Sequence, residues 1–186
     1  MVRKNEHMFE KMNITPLGMN ILIFLARNPN KEFYVRELAK KLNKSVGGVH
    51  KTLKSITSKD LISERKSGKN IYYQINQKNP SIKNFKIFMT INELHSLINI
   101  LKNISEKIIL FGSCATGDDT TESDIDLLIL TKEKESVQKH TIKKIRERDI
   151  KPVIVNTAEF MKLKEQDKGF YKEVNKGIIL WDGHHE

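Results

Sequence analysis

Two aspartates separated by a single residue carry the clearest chemical signal in this chain. They lie in Ser123-Asp124-Ile125-Asp126, which runs into the apolar stretch Leu127-Leu128-Ile129-Leu130. Side chains on a β-strand repeat direction every second residue, so Asp124 and Asp126 point the same way. Two carboxylates projecting from one strand edge suit a hard divalent cation such as magnesium. Ten residues earlier in the chain, Gly112-Ser113 follows a second apolar run, Lys107-Ile108-Ile109-Leu110-Phe111. Gly112 lets the backbone approach a ligand closely. Ser113, at a strand-to-helix turn, offers a hydroxyl and an amide hydrogen to phosphate oxygens. A magnesium ion beside a phosphate cradle suits in-line phosphoryl or nucleotidyl transfer. The plainer alternative makes the aspartates a solvated strand end, or caps of the acidic loop Gly117-Asp118-Asp119.

The elements that must position these groups follow the hydrophobic pattern. Residues 107–111 and 125–130 read as buried strands, and Pro152-Val153-Ile154-Val155-Asn156 as a third. A charged helix is expected from Glu133 to Arg148, with Val137, His140, Ile142 and Ile145 as its sparse apolar positions. Thr157 is placed to cap a helix through about Leu163. Phe170, Tyr171 and Val174 mark a last short helix ended by Gly177, and Ile178 to Trp181 a final strand. His184 and His185 read as a frayed terminus.

The set "L-F-G-S-x10-D-I-D-L", over roughly residues 105–156, resembles the DNA polymerase β-like nucleotidyltransferase superfamily, and within it the minimal nucleotidyltransferases. The resemblance implies a small mixed sheet flanked by helices. It implies transfer of a nucleoside monophosphate from a triphosphate onto a hydroxyl, with Mg2+ and a nucleoside triphosphate as cofactors. Asp124 and Asp126 become the catalytic metal ligands; Gly112 and Ser113 become the nucleotide-binding pair. Two departures stand out. The family's third carboxylate sits on a later strand, yet residues 152–156 hold no acid; Asp149 and Glu159 lie only near the ends. Relatives often carry arginine in "G-S-x-A-R-G", where this chain has Thr116. Cys114 reads as loop filler rather than a nucleophile, because nothing nearby in sequence lowers its pKa.

Charge is distributed unevenly. Residues 1–80 hold 16 Lys/Arg against 6 Asp/Glu, and residues 81–186 hold 17 of each, so the whole net charge of +10 lies in the first part. A basic module suggests a polyanion partner, with nucleic acid first and a merely solvated lysine-rich surface as the alternative. Thr15-Pro16 opens a helix carrying Leu17, Ile21, Phe24 and Leu25, which Asn28-Pro29-Asn30 stops. A second helix spans about Val35 to Leu42. Ser45 caps a third, whose buried face is expected at Val46, Val49, Leu53 and Ile56. Leu61 to Arg65, a Gly68-containing turn over 66–70, and Ile71 to Ile75 read as a hairpin.

Residues 14–78, through "S-x-x-x-V-x-x-x-L-x-x-I…L-I…R-x-x-G-K-x-x-Y-Y-x-I", resemble a winged helix-turn-helix. That resemblance implies a third helix in the major groove and a hairpin wing on the backbone or minor groove. Ser45, Gly48, His50, Lys51 and Lys54 would then face double-stranded DNA, with Lys66 and Lys69 as wing contacts. Winged helices also serve as protein-binding modules. Gly47-Gly48 reads either as a frayed first turn or as close approach of backbone to DNA. His50 contacts a phosphate or lies at the helix edge.

The fold class expected is α+β: an N-terminal winged helix over 1–80, a connector helix over 81–104 and a C-terminal mixed-sheet nucleotidyltransferase-like domain over 105–186. The apolar stripe from Ile82 to Leu101 reads as core or as the surface of a homodimer. No apolar run approaches the roughly 20 residues of a membrane span, so no membrane partner is expected. The segment Met1 to His7 is basic without a following apolar signal core, and one cysteine excludes an intrachain disulfide. Both favour a cytoplasmic protein. The combined architecture resembles a group of prokaryotic transcriptional regulators. The expected function is a DNA-binding regulator whose C-terminal domain binds Mg-nucleotide and retains weak transfer. The alternative is an active nucleotidyltransferase, modifying protein or RNA, with the winged helix for recruitment or autoregulation.

Overall fold

The computed structural model describes residues 14–142 and 144–183. The readings of Met1 to His7 and of His184 and His185 fall outside the described residues. The chain divides into two compact units between Ile82 and Lys83. It is an α+β protein with two separate sheets.

The first unit contains α1 (Pro16–Arg27), β1 (Phe33–Tyr34), α2 (Val35–Leu42), α3 (Val46–Thr57), β2 (Ile62–Ser67) and β3 (Asn70–Ile75). Pro16 needs no N–H partner at the first helical position, and Thr15 Oγ1 accepts from the Gly18 amide at 3.1 Å. Ser45 caps α3 in the same way, accepting from Gly48 N at 3.2 Å. Ile21, Leu25, Leu38, Val49 and Leu53 fill the core between the helices at 0% exposure. The sheet order is β1-β3-β2, all antiparallel. Strand β1 has no counterpart in the sequence reading, because two residues are too few to show an alternating pattern. Ser67 pairs with Asn70, so the hairpin turn is Gly68-Lys69, tighter than the loop expected over 66–70. Val46 is 47% exposed and lies outside the buried face expected for α3, which is carried by Val49, Leu53 and Ile56. At the first helical position its side chain precedes the turn that packs against α1.

Helix α4 (Pro80–Leu101) is one continuous helix of 22 residues whose first residues, Pro80 to Ile82, belong to the first unit and the rest to the second. Leu94, Leu97 and Leu101 join the main core of the second unit, beside Ile108, Leu110, Leu127 and Ile129. Full burial of one such side chain is worth roughly 1.5–3 kcal/mol. The remaining elements are β4 (Lys107–Phe111), α5 (Gly112–Thr116), β5 (Ile125–Leu130), α6 (Lys134–Thr141), β6 (Ile150–Val155), α7 (Thr157–Gln166), α8 (Lys168–Asn175) and β7 (Ile178–Asp182). Their sheet runs β6-β5-β4-β7 and is mixed: β5 and β6 are parallel, while β4 is antiparallel to both its neighbours. Strand period two divides β5 between two cores. Ile125, Leu127 and Ile129 face the α4 side; Leu128 and Leu130 face Phe160, Phe170 and Val174 on α7 and α8.

Two helix boundaries differ from the sequence reading. The charged helix ends at Thr141, not Arg148, and Ile145 bridges to Arg148 across a turn in which Arg146 and Glu147 have positive φ. Asn156, not Thr157, caps α7. It forms a reciprocal capping box with Glu159, and Thr157 is the first helical residue.

Candidate functional site

Strand β5 delivers Asp126, while Asp124 lies one residue before the strand begins, not on it as the sequence pattern predicts. Asp126 is its second residue and pairs in register with Phe111, the last residue of β4. Gly112, one step further, has φ +66, and a Cβ there would collide with Asp126 Oδ2. A glycine is therefore required at 112 to let the Asp126 carboxylate lie against the turn. The sequence reading placed that requirement on a ligand; the geometry places it first on Asp126. Ser113 and Cys114 follow on α5. Cys114 is on this helix rather than in a loop, fully buried, and its thiol donates to the Asp124 carbonyl at 3.4 Å. Burial pushes that thiol up to about 11, with the Asp119 charge adding to it. It is no nucleophile.

Burial and the neighbouring Asp124 charge both push the Asp126 carboxyl above the ordinary aspartate range, and Glu173 adds to the shift. A carboxylate pair held together against its own repulsion is a natural seat for a cation. Among the described residues no group of three Asp, Glu, His or Cys side chains forms a metal cage. Magnesium, however, is commonly held by one or two carboxylates completed by substrate phosphates and water. Asp124 and Asp126 fit that mode.

Residues 152–156, where a third carboxylate is expected, hold none, and the charged groups near them are engaged elsewhere. Parallel pairing puts Lys151 of β6 opposite Asp126, and Lys151 Nζ stands 4.0 Å from Asp124 Oδ2. Asp149 pairs with Lys144 at 3.3 Å. Glu159 is committed to the α7 capping box and to Lys134 at 2.7 Å. The Lys134 hydrogen bond holds the Glu159 carboxyl below the usual range.

Residues 94–179 match the protein family described as "Nucleotidyltransferase domain". This stretch of the chain is a nucleotidyltransferase domain. A curated protein of Methanocaldococcus jannaschii named "Putative protein adenylyltransferase" is 50% identical over 50 residues, which cover 26% of this chain. The match spans 50% of that relative's own length. Two solved structures give weaker likenesses. Reduced HlyU from Vibrio cholerae has a TM-score of 0.32 at 19% identity, over 51% of this chain and 81% of that one. A "putative nucleotidyltransferase" from Sulfolobus solfataricus has a TM-score of 0.34 at 17% identity, over 56% of this chain and 87% of that one. At those scores neither carries an argument here.

The second unit contains a buried charged network that the sequence did not show. Arg148 donates through Nη1 to Asp119 Oδ2 and through Nη2 to Glu93 Oε2, both at 3.0 Å. It also reaches Thr90 Oγ1 at 3.3 Å and Cys114 Sγ at 3.4 Å. Lys86 Nζ donates to the Asp119 carbonyl and lies 3.4 Å from Asp119 Oδ1. The Arg148, Asp119 and Lys86 side chains are at most 3% exposed and Glu93 is 8% exposed. The acidic loop is thus anchored at Asp119, while Asp118 pairs outside with Lys83 at 2.6 Å. That hydrogen bond to Lys83 keeps the Asp118 carboxyl low. Beyond Asp119, Thr120 N donates to Ser123 Oγ at 2.9 Å, and Asp124 follows directly. The network therefore fixes the entry to the aspartate pair. The sequence signal for it is weak: Lys86 sits inside the apolar stripe from Ile82 to Leu101, while Arg148 ends a run already rich in charge.

In the first unit the residues expected to face DNA divide between two grooves flanking α3. His50, Gly47 and Lys69 line a cavity of about 740 Å³ with Tyr34, Arg36 and Ile71. Gly48 and Lys51 line another of about 330 Å³ on the α1 side, with Thr52, Ser55 and Lys59. Gly48 is half-buried, its Cα facing Leu17 of α1. Ser45, Lys54 and Lys66 are exposed, and the Ser45 hydroxyl is already engaged as the cap. Arg65, at the wing edge, is neutralised by Glu32, with Nε to Oε1 at 2.9 Å, and its guanidinium lies over Tyr72. Sequence reasoning misses Arg36 and Tyr34, because the pattern of α2 reports only its buried face.

Proposed function

We propose that this protein binds duplex DNA through its basic first unit and a magnesium-nucleotide through its nucleotidyltransferase domain, the nucleotide modulating the DNA-bound state. The observation that carries nucleotide binding rather than rapid turnover is the β6 register. Strand β6 carries no acid to help activate an acceptor hydroxyl, and the residue it sets opposite Asp126 is the cation Lys151. In this reading Asp124 and Asp126 hold the cation. Gly112 keeps the turn close to Asp126, and Ser113 meets phosphate oxygens. Bound magnesium would supply charge neutralisation to the phosphates. Arg148 and Lys86 act through Asp119, holding the loop that presents Asp124.

For DNA, the support is the charge surplus before residue 81, the cationic groove containing His50, Arg36 and Lys69, and exposed Lys51, Lys54 and Lys66. Lys51→Ala with Lys54→Ala is expected to weaken binding to duplex DNA. It should also flatten the salt dependence by up to about one unit of log-log slope for each phosphate no longer neutralised. Unchanged affinity in a folded double variant refutes this part. Phe88, 63% exposed on α4, marks the surface proposed for a homodimer, and sedimentation of the full chain tests it.

A second reading, nucleotidyl transfer to a protein, is favoured by the 50% identity to the Methanocaldococcus relative. Transfer of label from each α-labelled nucleoside triphosphate into a host extract separates the two. Label carried by the wild type but not by Asp124→Asn with Asp126→Asn makes the protein a transferase. No label alongside measurable nucleotide binding supports the binding role.

A further inference from the structure

The turn at Gly112-Ser113 does not stand alone. Helix α8 and the residues after it close over α5, leaving a cavity of about 180 Å³. Ser113 and Thr116 form one wall; Glu173, Lys176 and Gly177 form the other. A volume below about 300 Å³ is too small for a whole drug-sized ligand but admits a fragment of one. The α8 wall is firmly placed. Asp167 caps the helix through Phe170 N at 2.9 Å, Phe170 stacks edge-on against Phe111 at 5.5 Å, and Val174 is fully buried. Just beyond Gly177, Ile178 pairs with Leu110 in the sheet. Lys176 is thus held between a docked helix and a paired strand.

The α5 wall carries no cation. Thr116 occupies the position at which the motif often has arginine, and its hydroxyl is turned to the Ser113 carbonyl at 3.2 Å. Lys176 is the one cationic residue among the described residues lining this cavity. Glu173, one helical turn earlier, faces the same space. A carboxylate there opposes a bare polyanion but tolerates one already paired with a divalent cation.

We propose that this cavity seats the phosphate tail of a metal-bound nucleoside di- or triphosphate, with Lys176 supplying from α8 the counter-charge that position 116 lacks. The proposal rests on the nucleotide-binding reading above and adds the residue that recognises the tail. A lysine makes a flexible, point-like phosphate contact, so arginine substitutes for it in charge if not in geometry.

The test is calorimetric titration of the full chain with ATP, AMP and inorganic tripolyphosphate, each with magnesium. Lys176→Ala is expected to weaken ATP and tripolyphosphate about tenfold, the scale of one charge-assisted hydrogen bond, and AMP less than about twofold. Lys176→Arg should recover most of the loss. Glu173→Gln should tighten tripolyphosphate when magnesium is withheld. Trp181 fluorescence verifies that each variant is folded. If the wild type binds ATP and Lys176→Ala binds it equally well, or loses AMP to the same degree, this proposal falls while the nucleotide site stands. If the wild type binds neither ATP nor tripolyphosphate, the nucleotide-binding reading falls and takes the proposal with it.

Discussion

Replacing Arg148 by methionine removes the centre of the buried network while keeping most of the side-chain volume. The guanidinium is 2% exposed and faces Asp119, also 2% exposed, and Glu93 at 8%, each at 3.0 Å. Two positive and two negative side chains balance in that space: Arg148 and Lys86 against Asp119 and Glu93. Removing Arg148 leaves two buried carboxylates against one buried cation, Lys86 beside Asp119, with the exposed Arg146 3.3 Å from Glu93, and breaking a buried ion network in this way costs up to about 3–5 kcal/mol. With a urea m-value near 2 kcal/mol per molar, the unfolding midpoint should fall by up to roughly 1.5–2.5 M. Trp181 is the only tryptophan and lies on β7, with its indole donating to the Ser105 carbonyl at 3.2 Å. Its fluorescence therefore follows the second unit in a chain of two. Adding Asp119→Asn to Arg148→Met should cost less than adding it to the wild type, since the charge it removes has already lost one of its two buried cations and keeps only Lys86. A loss below about 1 kcal/mol in Arg148→Met, or strict additivity with Asp119→Asn, would refute the argument that this network holds the loop.

Three further outcomes follow from the same geometry. Asp126→Asn should raise the unfolding midpoint at pH 7, because the native carboxyl is pushed up by burial and by Asp124. A group with a raised native pKa loses stability as pH rises through it, so the advantage of the variant should shrink toward acidic pH; a lowered midpoint at pH 7 contradicts this. Cys114 should resist iodoacetamide at pH 8 in the native protein and react readily in urea, because its thiol is buried and pushed up to about 11. Rapid native labelling would show that α5 opens. Gly47→Ala should stabilise the first unit by about 0.5–1 kcal/mol, since a Cβ there meets nothing within 4 Å. If Gly47 also allows DNA to approach the backbone, the same variant will bind DNA less well. Denaturation and a mobility-shift titration separate the two effects.

Much of this arrangement was legible in the sequence because it depends on local pattern. Apolar runs at 107–111 and 125–130 became paired strands, with Asp126 in register beside the Gly112 turn. Thr15, Pro16 and Ser45 acted as caps where their chemistry predicted. The rest depends on groups brought together from distant positions. Arg148 meets Glu93 and Asp119 across 55 and 29 residues, so an acidic loop is anchored in the core. Lys151 reaches the aspartates only through the β5–β6 register. Glu173 and Lys176 join the cavity because Phe170 and Val174 dock α8 on the sheet. The helix expected to continue to Arg148 stops at Thr141 because its last stretch has too few apolar residues to hold a helical face, and Arg148 is drawn inward instead. Val46 shows the reverse error: correct helical spacing placed it on the buried face, but nothing packs over the first position.

The central claim is that Asp124 and Asp126, set against Gly112 and Ser113, hold a magnesium-nucleotide. Equilibrium binding of ATP, with and without magnesium, to the full chain and to Asp124→Asn with Asp126→Asn tests it most directly. The account predicts saturable binding that needs magnesium and is lost in the double variant while its Trp181 signal and unfolding midpoint remain native-like or better. Binding that ignores magnesium, or that survives loss of both carboxylates, would contradict it.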